Sequence, residues 1–210
     1  MKLLFLAGLL VIAVSNSTAQ TLLGVTAGAN YSTARVYDGN NIRTVEYRPG
    51  AHFGLHVNTV FENKLHFNPT IAYNSRGFTV KSDSSDIDQV SNTLHYISLA
   101  PILGFEIGSQ SNAFIISAGP ILGIAISGKQ KSEVAGVTST SSLHFSTSTD
   151  YGLFDLGMQG GIGYRFNKLL LQAHYYYGLT NINNNEEKDK RNIRNRSFGI
   201  QLGYYFKSYK

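Results

Sequence analysis

Between Phe154 and Phe166 two kinds of side chain alternate without a break. Phe154, Leu156, Met158, Gly160, Ile162, Tyr164 and Phe166 hold one parity, and Asp155, Gly157, Gln159, Gly161, Gly163 and Arg165 hold the other. A strand sends successive side chains to opposite faces, so this segment predicts one apolar, aromatic face and one small, polar face. The same rhythm predicts eight strands, at roughly 22–34, 48–61, 65–79, 93–108, 113–127, 151–166, 168–179 and 196–206. In the fifth, Phe114, Ile116, Ala118, Pro120, Leu122, Ile124 and Ile126 share a face. In the fourth, Ile97, Leu99, Pro101, Leu103, Phe105 and Ile107 oppose Tyr96, Ser98, Ala100, Gly104 and Glu106. The last sets Phe198, Ile200, Leu202, Tyr204 and Phe206 against Ser197, Gly199, Gln201, Gly203 and Tyr205, and the second sets Phe53, Leu55 and Val57 against His52, Gly54, His56 and Asn58. Pro69, Pro101 and Pro120 fall inside strands, where each removes a ladder donor, so a bulge or bend is expected at each.

The connections alternate as well. Tight turns at Glu62-Asn63-Lys64, Ser109 to Asn112 and Asn167-Lys168 follow the second, fourth and sixth strands. Long polar stretches at 35–47, 80–92, 128–150 and 180–195 follow the others. Short periplasmic turns, longer outer loops and an even strand count describe an outer-membrane barrel with both termini in the periplasm. The N-terminus carries an export signal: Lys2, an apolar stretch from Leu3 to Val14, and the small residues Ser17-Thr18-Ala19. This predicts a signal peptide over 1–19 and one barrel domain over 20–210. The apolar stretch is too short for a membrane helix, which needs about 20 residues, and no later window supplies one. The predicted fold class is therefore all-β, an eight-stranded antiparallel up-and-down transmembrane barrel with its apolar parity toward lipid. A soluble lipocalin-like barrel, with that parity turned inward, is the competing arrangement. Phe61, Phe105, Phe114, Tyr164, Phe166 and Phe206 gather near the turn end, and Tyr31, Tyr73, Phe154, Tyr177 and Phe198 near the loop end, as two interfacial belts require.

Composition removes several function classes. With 0 Cys, neither a lipidated cysteine nor a disulfide framework is available. The net charge of +5 is scattered over turns (Lys64, Lys168), the tail (Lys207, Lys210) and the long loops, without the basic stripe that nucleic-acid binding needs. The charge fits solubility and lipid headgroups.

Eight strands enclose a bore that side chains can fill. The polar parity places Thr26, Asn30, His52, His56, Asn58, His66, Asn68, Asn74, Arg76, Glu106, Asp155, Gln159, Arg165, Gln172, His174, Tyr176 and Gln201 inside. Glu106 and Arg165 lie near the turn end, Arg76 and Asp155 near the loop end. They are expected to form two charge-paired layers that plug the barrel, because an unpaired buried charge costs several kcal/mol. His52, His56, His66 and His174 raise a metal site, but residues four apart on a strand are about 13 Å apart, too far for His52 and His56 to share one ion. Hydrogen-bonded histidines in a polar core are the expected reading, with no metal and no cofactor. For an enzyme, Asp155 with His174 is the best acid/base pairing the strands allow, but no serine motif accompanies it. Gly157 to Gly163 forms a small-residue face, not a phosphate cradle, since no helix follows. Among the loops, Lys81 to Asp88 is acidic through Asp83, Asp86 and Asp88, either solvated or a divalent-cation site. Lys129 to Asp150 is rich in Ser and Thr, with Leu143 and Phe145 placed to continue a strand pair above the membrane. Asn181 to Arg196 has the character of a mobile surface loop.

Several segments resemble the outer-membrane β-barrel family common in Bacteroidetes and called PorT-like. They are Gly24-Val-Thr-Ala-Gly28-Ala-Asn30-Tyr-Ser, Asn74-Ser-Arg76-Gly77, Tyr96-Ile-Ser-Leu-Ala-Pro101, Ser117-Ala-Gly119-Pro120, Gly163-Tyr164, Tyr177-Gly178-Leu179-Thr180-Asn181-Ile182 and the closing Gly203-Tyr-Tyr-Phe206. The resemblance covers nearly all of the chain after the signal and implies that Pro101 and Pro120 occupy usual family positions. It implies insertion by the barrel-assembly machinery, with the terminal strand as recognition signal, although Lys207-Ser-Tyr-Lys210 displaces the aromatic end. Some relatives serve a protein-secretion and gliding apparatus. The combined expectation is a monomeric, non-enzymatic barrel in outer-membrane lipid, displaying four external loops as an anchor or recognition surface to an envelope partner. A narrow pore for small solutes, an accessory subunit of a secretion apparatus and a membrane-embedded enzyme are the alternatives.

Overall fold

A computed structural model describes residues 21–39, 41–43, 45–81, 89–109, 111–134, 136–146, 151–184 and 190–207. The expected signal peptide and the acidic residues Asp83, Asp86 and Asp88 lie outside these. Eight strands build the wall: β1 (Thr21–Asp38), β2 (Val45–Glu62), β3 (Leu65–Lys81), β4 (Gln89–Gly108), β5 (Asn112–Val134), β6 (Phe154–Phe166), β7 (Leu169–Gly178) and β8 (Asn192–Tyr205). Each pairs antiparallel with its sequence neighbour, and β8 pairs with β1 from Gly24–Tyr205 to Tyr37–Asn192. The ring is closed, so every wall strand has two partners and none is an edge.

The alternation read from the sequence decides which side faces in. In β6 every residue of the Phe154 parity is exposed, while Asp155, Gly157, Gly163 and Arg165 are buried. The apolar parity therefore points outward, which excludes the lipocalin-like arrangement. The aromatic residues fall into rows by register. At the turn end Phe105, Phe114, Tyr164, Phe166 and Phe206 are exposed; at the loop end Tyr31, Phe154, Tyr177 and Phe198 are exposed, with Tyr31 directly opposite Phe198. Phe61's side chain lies outside the described set. Tyr73 is half-buried, and its hydroxyl pairs with His95 Nδ1 at 2.6 Å.

Two of the tight turns, after Glu62 and Phe166, place an asparagine in the left-handed region, Asn63 at φ 45° and Asn167 at φ 52°. Asn tolerates that conformation better than most L-residues because its short amide can bond locally.

The prolines correct one expectation. Register shifts occur at Tyr47/His52, Val60/Glu62 and His95/Tyr96; Pro49 lies within the first, but none falls at Pro69, Pro101 or Pro120. Instead Pro69 lies opposite Pro101, and pairing between β4 and β5 lapses from Leu99–Leu122 to Leu103–Ala118, where Pro101 faces Pro120. The three prolines thus form one row across three strands. Register is kept because rings that lack N–H groups are set against one another, so the missing bonds are concentrated in one place.

The loop-end extent also differs from the sequence reading. The strands run on past the aromatic row. Asn41–Arg43 folds back on Val36–Asp38, and Lys129–Val134 pairs with Val137–Ser142. These extensions are mainly polar, with Ile42, Val134 and Val137 exposed, so no apolar periodicity marks them. Leu143 adds one bond to that hairpin, donating its amide to Gly128 O at 2.9 Å, but Phe145 does not continue it. They turn inward, and Phe145–Ser146 pairs in parallel with Tyr151–Gly152, so that β6 begins only at Phe154. The base of the 181–196 stretch is tied down rather than mobile. Ile182 donates its amide to Ile193 O at 2.8 Å, Asn183 Nδ2 donates to Arg191 O at 2.7 Å, and Ile182 is fully buried.

Candidate functional site: a layered lumen

Near the turn end, β4 contributes Glu106, β6 Arg165, β2 Asn58, β3 His66 and β8 Tyr205. Each occupies the inward parity of its strand, so register alone brings them to one level. Arg165 Nη2 donates to Glu106 Oε2, and Asn58 Nδ2 donates to Glu106 Oε1 at 2.9 Å. Asn58 Oδ1 meets His66 Nδ1 at 2.8 Å, and His66 lies 3.5 Å from the Glu106 carboxylate. The carboxylate is thus held by a guanidinium and an amide in a water-poor setting, the condition under which a buried ion pair is tolerated.

Near the loop end a second network centres on Asp155, which is completely buried. Arg76 Nη1 donates to Asp155 Oδ2 at 3.0 Å, Asn195 Nδ2 to the same oxygen at 2.9 Å, and the Tyr176 hydroxyl to Oδ1 at 2.8 Å. The Arg76 guanidinium lies over the Tyr176 ring, 3.7 Å from its centroid, and Asn195 Nδ2 also reaches the Tyr96 hydroxyl at 3.2 Å. The structure therefore brings together Arg76 with Asp155 and Glu106 with Arg165. It does not bring Asp155 to His174. The Asp155 oxygens are occupied by Arg76, Tyr176 and Asn195, and the His174 ring packs edge-on against His52 with centroids 5.2 Å apart.

Between the two networks lies a cavity of about 70 Å³, bordered by His52, His56, Gln159, Gln172, His174 and Gln201 among others. His52 bridges Asn30 Oδ1 at 3.0 Å and Gln201 Oε1 at 2.8 Å, and Gln201 Nε2 donates to Gln172 Oε1 at 2.6 Å. Among the described residues, no group of three or more His, Asp or Glu converges as a metal would require. The small face of the wall explains how such large rings fit. A Cβ at Gly157 would stand 2.5 Å from the Tyr176 ring, one at Gly28 2.5 Å from His52 Cε1, and one at Gly24 2.8 Å from His56 Nε2. These glycines are hollows for the rings of neighbouring strands.

The interior is not uniformly polar, which corrects the sequence reading. Leu22, Ile115, Leu170 and Tyr205 form one buried apolar cluster, and Ala100, Ile102, Ile121 and Tyr176 another. A third, including Val36, Phe78, Leu94, Ile182 and Ile193, fills the loop end, with Leu143 and Phe145 packed against it. Doublets such as Ile115-Ile116, Ile121-Leu122 and Leu170-Leu171 carry the missed signal, since an apolar residue on both parities implies burial on both faces. Asn195 was missed because it sits in a polar run that looks like loop.

A closed ring of antiparallel strands with an apolar exterior and a filled, largely polar bore defines a membrane-spanning β-barrel. The chain belongs to the outer membrane protein beta-barrel domain family, whose model matches residues 16–184, and its place is the bacterial outer membrane. Comparison with curated proteins gives no match. Among solved structures the chain is similar to Ail, the attachment invasion locus protein of Yersinia pestis, at 17% identity over 89% of this chain and 99% of that one, TM-score 0.45. It is also similar to Neisserial surface protein A, at 16% identity over 88% and 97%, TM-score 0.45. A third is the outer membrane protein OprG from Pseudomonas aeruginosa, at 13% identity over 90% and 97%, TM-score 0.41.

Proposed function

We propose that this chain is a non-enzymatic, monomeric outer-membrane barrel whose role is to anchor and display the β-structure at its loop end. The observation that carries this reading is the filling of the bore: two buried charge networks, one at each end, with apolar clusters between and above them. A lumen built this way favours rigidity over passage. The engagement of Asp155 with Arg76, Tyr176 and Asn195 favours a structural over a catalytic carboxylate. In this reading residues 1–19 are removed on export, the barrel-assembly machinery inserts 20–210, and both termini face the periplasm. The turns at Asn63-Lys64, 109–111 and Asn167-Lys168 support that orientation, since short turns belong to the periplasmic side. Within its family we assign the chain to the PorT-like group of Bacteroidetes, on the segments quoted above.

Planar-bilayer recording of the refolded chain tests the sealed bore. A silent membrane is the expected outcome, at protein levels where a porin control opens readily. Reproducible unitary current steps would replace the anchor reading with the narrow pore.

A further inference from the structure

Along the β1–β8 seam the outward positions run Leu23, Val25, Ala27, Ala29 and Tyr31 on β1, with Tyr204, Leu202, Ile200 and Phe198 opposite them. This apolar stretch then ends abruptly. The next row of that parity is Thr33, itself buried, opposite Arg196, and the one beyond is Arg35 opposite Arg194. Rows of one face are about 7 Å apart along a strand, so three guanidinium groups follow directly on the Tyr31–Phe198 aromatic row. The buried residues between them, Ala34, Val36, Ile193 and Asn195, fix the three arginines on the outside.

Among the described residues they have no acidic partner. No described carboxylate pairs with Arg35, Arg194 or Arg196; Asp38 pairs with Arg43 and Glu46 with Lys81. Like charges directly opposite in an antiparallel ladder are destabilising, and Arg35 faces Arg194 in that manner. The side chains are also held. Arg35 lies over Tyr37 at 4.9 Å and Arg196 over Tyr177 at 4.8 Å, while Arg194 Nε donates to Asn192 Oδ1 at 3.1 Å. Stacking occupies the faces of two guanidinium groups and leaves their N–H edges available, the geometry that takes a phosphate bidentately.

We propose that Arg35, Arg194 and Arg196 form a site for the phosphate groups of a phosphorylated glycolipid in the outer leaflet. The leaflet follows from the orientation under the proposed function, so the inference rests on that reading. The phosphates lie at headgroup depth, just beyond the aromatic row, and relieve the repulsion between the opposed arginines.

The test uses the chain folded in neutral detergent micelles, with bisphosphorylated lipid A as probe and bound lipid measured by native mass spectrometry. Replacing all three residues (Arg35→Gln, Arg194→Gln, Arg196→Gln) is expected to weaken retention about ten- to a hundredfold. Dephosphorylated lipid A is expected to bind no better than to the triple variant. Unchanged retention by the variant, or equal binding of the dephosphorylated lipid, overturns the site. Displacement by equimolar inositol hexakisphosphate overturns the commitment to lipid in favour of a soluble polyanion. Heat-modifiable migration verifies folding, and the single Arg35→Gln change supplies the same readout if the triple variant does not fold. Orientation is read separately. The chain has 0 Cys, so a Ser141→Cys label from a membrane-impermeant maleimide on intact cells reports on the loop end alone. Labelling only after lysis overturns the orientation and the leaflet, whatever the micelle affinity.

Discussion

Arg165 and Glu106 are each more than nine-tenths buried and depend on one another. Removing only the cation leaves a carboxylate facing Asn58 and His66 inside the bore. Arg165→Ala is therefore expected to cost about 3–5 kcal/mol, whereas the paired change Glu106→Gln with Arg165→Met costs much less, because no uncompensated charge is left. Urea unfolding of the two variants in micelles measures the difference, and equal losses would show that the two residues do not act as a unit. The four lumen charges were legible because they stand on inward faces of small and uncharged polar residues, where a charge has no reason to be unless it is met. Asn195 was not legible in this way. Its role depends on β8 starting earlier than its apolar alternation does, and on Asp155 and Tyr96 being brought to it from strands 40 and 99 residues away in sequence.

At the scale of the strand, the proline row concentrates a defect that the sequence suggested would be dispersed. Pro101 and Pro120 face each other without donors, and β4 and β5 are unpaired there while keeping register on both sides. Replacing both with Ala is expected to restore pairing over Ala100–Ile102 and raise stability by about 1 kcal/mol per bond formed. Amide exchange at residues 100–102 and 119–121 provides the measurement; exchange as fast as in the parent would show that the gap has another cause. The membrane parts of the strands were readable to within a few residues because lipid demands a strict apolar parity. The outer parts were not. From Lys129 to Ser142 both faces are polar apart from Val134 and Val137 at the turn, so pairing there follows from hydrogen bonding across a hairpin and leaves no periodic trace.

In the whole molecule the interior is stacked in levels: a charge network near the turns, apolar and amide levels in the middle, a second charge network, and an apolar cap under the loops. The cap draws Ile182 and Ile193 against Val36, Phe78 and Leu94. Ile182→Ala is expected to remove about 2–4 kcal/mol from the local stability of the loop end. Hydrogen exchange should accelerate at Gly152, Ile182 and Ile193, whose amides are tied to this region, and stay unchanged at Glu106 and Arg165. Acceleration at both ends would mean that the levels unfold together.

The seam between β1 and β8 joins residues as far apart in sequence as Gly24 and Tyr205. Closing a loop of that length costs about 5 kcal/mol of chain entropy, and it is recovered only when the ladder has formed. Until β8 docks, β1 has no second partner, and each bare amide costs several kcal/mol in hydrocarbon. Partial products are thus not smaller barrels but open sheets with a vacant margin. Topology imposes one condition: β1 is completed only when β8 closes on it, and its free edge must be shielded until then.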